Sequence, residues 1–301
     1  MRLTLHISCL FVCLLPQLGA ANEFYQLGVS VGNEDNLPRG FDSLHTLDAN
    51  FMRTGFNAGK FFQLGLNDSL SVAGNLEVTR YDQLSGFDNH SLGFSVDYGH
   101  KLGFGAFAPR LGVNLSVSRQ FFQGEARDAD LYGLEISYSR RLSPGLMLSA
   151  GADALWSRTD DLAEDPRVTA FGYDPLIRLP YEVFNYDARS LFLSGEYAFE
   201  NGLLLELGYR RIDGATVAST SMPTLAVYKI SDAFYSDPAF DSMDWFAYLL
   251  DANTDEWSLT GSWAIGIDSS INLGVTWNES DVPANRSYTN TIFSLGLVHN
   301  F

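Results

Sequence analysis

The chain has 301 residues, with 36 acidic against 19 basic side chains and a formal net charge of −17. Nucleic-acid binding rests on basic patches, so this balance argues against it. Mean hydropathy is close to zero, and no stretch beyond residue 21 is long and apolar enough for a transmembrane helix. That excludes a helical membrane protein but not a membrane barrel, in which only alternate residues meet lipid.

The first element is an N-terminal leader. Met1–His6 carries Arg2, Ile7–Leu15 is almost wholly apolar, and Gly19-Ala20-Ala21 supplies small residues. The apolar run is too short to span a bilayer as a helix. The pattern is that of a secretory signal peptide, residues 1–21, cut near Ala21. Cys9 and Cys13 both lie inside it, away from the cleavage point, which argues against a lipoprotein anchor. Residues 22–301 hold no cysteine, so disulfides play no part in their stability. Loss of the leader takes one Arg and no acid, leaving a charge of about −18.

Twelve segments then alternate apolar and polar residues, near 23–33, 48–64, 69–81, 90–101, 109–122, 130–142, 146–158, 188–199, 203–212, 255–265, 270–279 and 289–301. Many match the roughly 9–11 residues of a tilted spanning strand. Leu111, Val113, Leu115 and Val117 alternate with Gly112, Asn114, Ser116 and Ser118; Ile271, Leu273, Val275 and Trp277 alternate with Asn272, Gly274, Thr276 and Asn278. Short links (65–68, 102–108, 143–145, 200–202, 266–269) alternate with longer ones (34–47, 82–89, 123–129, 159–187, 213–254, 280–288). Short turns at one end and long loops at the other are the asymmetry of an up-and-down membrane barrel. The expected fold is therefore all-β: a single antiparallel barrel over 22–301 with about twelve strands. Ten strands is the alternative, should 48–64 or 69–81 be misread.

Tyr25, Tyr98, Tyr132, Tyr138, Trp156, Tyr197, Phe199, Trp257, Trp263 and Trp277 lie on the apolar faces near strand ends, where aromatic girdles form. The opposite face is rich in Gly, Ser and Ala, which favours a water-filled interior over a packed one. Its charged positions are Arg53, Glu77, Asp97, Arg110, Glu135, Asp153, Glu196, Glu206 and Arg210. Matching apolar faces across the 143–145 and 200–202 turns places Glu135 opposite Asp153 and Glu196 opposite Glu206. Like charges facing each other need a compensator; Arg141, Arg210, a bound cation or shared protons would serve. Arg53, on the second strand, should face this acidic wall from across the barrel and produce a transverse field.

The two longest loops are acidic. The 159–187 loop carries Asp160, Asp161, Glu164 and Asp165, weak candidates for a divalent cation because they lack ordered ligand spacing; a solvated acidic surface is the plainer account. In the 213–254 loop, Ser236–Leu250 opens with Ser-Asp-Pro and sets Phe240, Met243, Phe246, Ala247 and Leu250 at helical spacing, predicting a short helix at the mouth. His45, His90, His100 and His299 belong to no recognisable catalytic constellation, and no metalloprotease, phosphate-loop or dinucleotide motif occurs. No enzyme activity and no cofactor are expected.

The last element, 291–301, reads Thr-Ile-Phe-Ser-Leu-Gly-Leu-Val-His-Asn-Phe. Phe293, Leu295, Leu297 and Phe301 share one face, Ser294, Gly296 and Asn300 the other. This end resembles the C-terminal assembly signal of Gram-negative outer-membrane β-barrels, in which the last strand ends in Phe after alternating apolar residues; His299 departs from that pattern. The resemblance implies residence in the bacterial outer membrane, contact with its lipid and lipopolysaccharide, and delivery by the barrel-assembly machinery. Taken with the small-residue, acidic inner face, it leads to the expectation of a porin-like channel for passive diffusion of small hydrophilic solutes, cation-tilted by that wall, with a monomer favoured. The alternative is a non-conducting barrel whose acidic loops bind a surface partner or divalent cations; an outer-membrane hydrolase is a weaker third. An unobstructed lumen would support the channel, and a mouth sealed by 213–254 the non-conducting barrel.

Overall fold

The computed structural model describes residues 21–160, 179–221, 225–240 and 244–301. Thirteen strands form one antiparallel sheet: β1 (Ala21–Glu34), β2 (Ala49–Gln63), β3 (Asp68–Tyr81), β4 (Asn89–Lys101), β5 (Arg110–Phe122), β6 (Ala129–Arg141), β7 (Leu146–Thr159), β8 (Tyr186–Ala198), β9 (Leu203–Ser221), β10 (Ala233–Ser236), β11 (Trp245–Ala264), β12 (Ser269–Val282) and β13 (Arg286–Asn300). Consecutive strands pair with each other except β9 and β10; β13 returns to β1, and β9 pairs directly with β11. The result is a closed barrel of twelve strands, with β10 as an extra piece bonded to the upper part of β11. Closure removes every free edge within the barrel, which a bilayer demands.

The alternation works as its period dictates. Leu111, Val113, Leu115 and Val117 are exposed on the outer wall, as are Leu259, Leu273, Leu295 and Leu297. Nine of the ten girdle aromatics are exposed there too, and Trp156 is half-buried. Trp257 stands opposite Trp277 across the β11–β12 pair. The polar partners point inward. Twelve strands ~4.8 Å apart and tilted ~40° make a backbone cylinder of roughly 12 Å radius, too wide for Gly and Ser to fill. At the short-turn end, Gly202 takes a left-handed φ of 84°, which closes the four-residue link from β8 to β9 without a Cβ clash.

Two long links differ from expectation. The 280–288 segment is mostly strand, leaving a turn over 283–285 in which Ala284 and Asn285 are both left-handed (φ 62° and 53°). Much of 213–254 is also strand, because β9 and β11 stay paired from Trp263↔Leu203 up to Trp245↔Ser221. The helix expected over Ser236–Leu250 does not form. Ala233–Ser236 is β10, bonded to Phe246–Leu249 of β11, and a one-turn α-helix lies earlier, at Leu225–Tyr228. Phe246, Ala247, Tyr248 and Leu250 are 0% exposed. Both faces of this stretch are covered, so its apolar residues run on without alternation, and a short run of that kind fits a buried strand as well as a helix. Met243, part of the same expectation, lies outside the described residues, as do residues 1–20 of the expected leader.

Candidate functional site: the lumen and its capped mouth

The inferred registers hold. Glu135 lies opposite Asp153 on β6 and β7, and Glu196 opposite Glu206 on β8 and β9. Arg210 compensates the first pair: its Nη1 donates to Asp153 at 2.7 Å, and its Nε lies 3.8 Å from Glu256. The hydroxyl of Ser190 also donates to Asp153, at 2.5 Å, and the Arg210 guanidinium sits 5.4 Å from the Phe192 ring centroid. Arg141 plays no such part, since it donates to the Pro144 carbonyl at the turn. Glu256, Ser190 and Phe192 complete this cluster. Glu256, opposite Arg210 on β11, was not among the expected charged positions.

The remaining lumen charges are distributed. Arg53 is 3.5 Å from Glu77 on the adjacent strand and donates to Thr79 at 3.3 Å. Although β2 is six steps from β8 in the ring, this neighbour engages the Arg53 charge, so it does not face the acidic wall unpaired. Asp97 accepts from Asn114 at 2.6 Å. Arg110 lies over Gly99 and donates to Ser69 at 3.2 Å. Glu196 and Glu206 accept no hydrogen bond and make no ion pair among the described residues. The wall is hollowed into bays, one of about 180 Å³ at Glu135, Glu206, Arg210 and Glu256, and one of about 280 Å³ at Arg53 and Glu77.

Above the wall, β9 and β11 rise together and carry β10 across the opening. β4 is six steps from β11 in the ring, hence diametrically opposite. The tip reaches that far side: an added Cβ at Gly86, between β3 and β4, would lie 2.2 Å from the Ala239 carbonyl oxygen. Glycine is required where two backbones approach this closely. Beside it, Arg127, between β5 and β6, grips the fully buried Asp237 with two hydrogen bonds of 2.9 and 2.6 Å. The Ser219 hydroxyl donates to the same carboxylate, and the Ala239 N–H does so at 3.0 Å. The Arg127 guanidinium is sandwiched between Phe87 (4.5 Å) and Phe184 (4.8 Å), from two further loops. The 35–48 loop joins through Pro38, whose carbonyl accepts from the Ser219 N–H at 2.8 Å. Among the described residues, the mouth is therefore spanned by a packed cap. A cavity of about 350 Å³ lies beneath it.

On the outer surface, Asp160 is 3.4 Å from Arg119, which also pairs with Asp130 at 3.1 Å. Asp161, Glu164 and Asp165 lie outside the described residues. Phe293, Leu295, Leu297 and Phe301 share the exposed face of the last strand. His299 joins that face, its ring edge-on to Phe301 at 4.5 Å. The Phe301 N–H donates to the Tyr25 carbonyl at 2.9 Å, tying the chain end to the first strand.

No family model matches the chain, and no curated protein matches it in sequence. The fold is similar to that of an outer membrane channel from Pseudomonas putida F1: 12% identity, TM-score 0.56, covering 95% of this chain and 98% of that one. The NanC porin (10% identity, 91% and 98% coverage) and the KdgM porin (10%, 92% and 99%) align with TM-scores of 0.44 and 0.42. With its closed ring of twelve antiparallel strands, apolar outer wall and polar interior, the chain has the fold of a Gram-negative outer-membrane β-barrel.

Proposed function

We propose that the barrel is an outer-membrane channel for small hydrophilic solutes, that its lumen favours cations, and that its extracellular mouth is restricted by the β9–β10–β11 cap. The observation that carries the reading is the wall. Gly and Ser line much of the wall below the cap, Glu135, Asp153 and Glu256 gather around Arg210, and Glu196 and Glu206 face each other unpaired among the described residues on β8 and β9. Clustered like charge in a narrow passage attracts counter-ions and raises their local concentration. Non-enzymatic action fits the same wall, whose charged groups are spread around the ring.

The cap favours a second reading, in which the barrel does not conduct and its surface binds a partner. Planar-bilayer recording of the purified protein in a salt gradient separates the two. Cation-selective conductance is expected; anion selectivity overturns the cation tilt, and no conductance overturns the channel. Residence in the outer membrane, leader cleavage near Ala21 and recognition of the Phe293–Phe301 strand by the assembly machinery belong to the same proposal. Deletion of Phe301 should lower the amount of folded barrel in outer-membrane fractions, and an unchanged amount removes that role.

A further inference from the structure

The cavity beneath the cap has a volume of about 350 Å³, within the usual range for small-molecule sites. Glu34, Arg39 and Arg127 are the charged groups that line it. The charge of Arg127 is already engaged by Asp237. Arg39 is different. It holds a left-handed backbone, φ 58°, which a non-glycine residue keeps only when its surroundings impose it and which concentrates at functional sites.

The surroundings impose it here. The Arg39 N–H donates to the Asn36 carbonyl at 3.0 Å. The Asn36 side chain clasps Gly40 from both directions, accepting from its N–H at 2.8 Å and donating to its carbonyl at 3.1 Å. Ser219 holds Pro38, on the other side of Arg39. The guanidinium so positioned spends one donor, on the Thr216 hydroxyl at 3.0 Å. No carboxylate lies within ion-pair distance of it among the described residues. Glu34 is near enough to act on its charge yet is not joined to it, and accepts from Asn290 at 2.7 Å. Tyr81, Phe87, Phe122 and Phe184 supply flat apolar wall.

We infer that this chamber binds a small zwitterionic solute with an apolar body, its carboxylate on Arg39, its ammonium toward Glu34 and its body on the aromatic wall. A simple anion meets Glu34 and the acidic lumen below, and a simple cation meets Arg39; a solute bearing both charges satisfies both groups. The inference rests on the channel reading only for the route by which the solute arrives.

Isothermal titration of the full barrel in detergent micelles with phenylalanine, 3-phenylpropanoate and phenethylamine tests it, since the three share a body and differ in charge. Phenylalanine should bind about tenfold or more tightly than either of the others, one charge-assisted contact being worth at least that factor. Arg39→Gln and Glu34→Gln should each weaken phenylalanine about tenfold, while Arg39→Lys retains more affinity than Arg39→Gln. Equal binding of 3-phenylpropanoate, no binding of phenylalanine, or indifference to Arg39→Gln overturns the inference. Should a variant not fold, the three-ligand series on the natural protein still decides. Bilayer conductance without phenylalanine binding overturns this site alone, and binding without conductance overturns the channel alone.

Discussion

β11 carries two opposite solutions on one strand. In its lower part, Trp257 and Leu259 are 45% and 46% exposed, with their apolar surface turned outward from the barrel. In its upper part, Tyr248 and Leu250 are 0% exposed and pack with Phe234, Phe246 and Tyr288 in a core like that of a water-soluble domain. The lower part is held by its hydrogen-bonded ring. The upper part buries its apolar surface against other loops and anchors its polar groups internally. Stability in the barrel comes from closure, whereas stability in the cap comes from packing and one buried ion pair.

The sharpest way to break this contrast is at Asp237. Asp237→Ala leaves the Arg127 guanidinium buried and unpaired, and breaking a pair of this kind costs about 3–5 kcal/mol. That loss should fall on the cap and not on the barrel. Amide hydrogen exchange should speed up over 215–221 and 245–252 while the lower strands stay protected, and conductance should rise. Uniform exchange throughout would show that cap and barrel open as one unit.

Leucine truncation gives the next largest effect. Leu250→Ala removes a side chain from a packed core and should cost about 2–5 kcal/mol of cap stability. Leu259→Ala, on the outward face of the same strand, should cost about 1 kcal/mol or less, because the side chain is already half-exposed and its loss leaves no protein cavity. Denaturant titrations of both variants in bilayers, read by tryptophan fluorescence, check the order. Gly86→Ala falls between these two. An added Cβ there lies 2.2 Å from the Ala239 carbonyl oxygen, closer than two such atoms can sit, so the tip must move by about 1 Å, costing about 1–3 kcal/mol. Its readout is a modest gain in conductance with an unchanged yield of folded barrel.

The same contrast explains what the sequence made legible. The barrel could be read because each stave has one apolar and one polar face, and because turn lengths fix register: matching Leu142 with Leu146 was enough to place Glu135 against Asp153. The cap could not be read that way. In Phe246-Ala247-Tyr248-Leu249-Leu250, burial on both faces erases the period, and helix and strand become equally acceptable. Nor could the partners of Asp237 be found by counting along the chain. Arg127 is 110 residues away, on a loop with no motif, and Phe87 and Phe184 come from two other loops. Arg39 gave no signal either, since its left-handed turn depends on Asn36 and on a contact with β9. Glu256 was within reach, since the same alternation that turns Trp257 outward turns Glu256 inward, opposite Arg210.

The ion pair of Arg127 and Asp237 also bears on the order in which the molecule is made. Contacts between segments far apart in sequence form late, since the chain between them must first be ordered. Asp237 can meet Arg127 and the two flanking rings only when the loops after β3, β5 and β7 already stand around a common rim. β9 and β11 must also have joined the same ring. A closed cap is thus a certificate of finished assembly: while the ring is still open, the tip has no far side to reach.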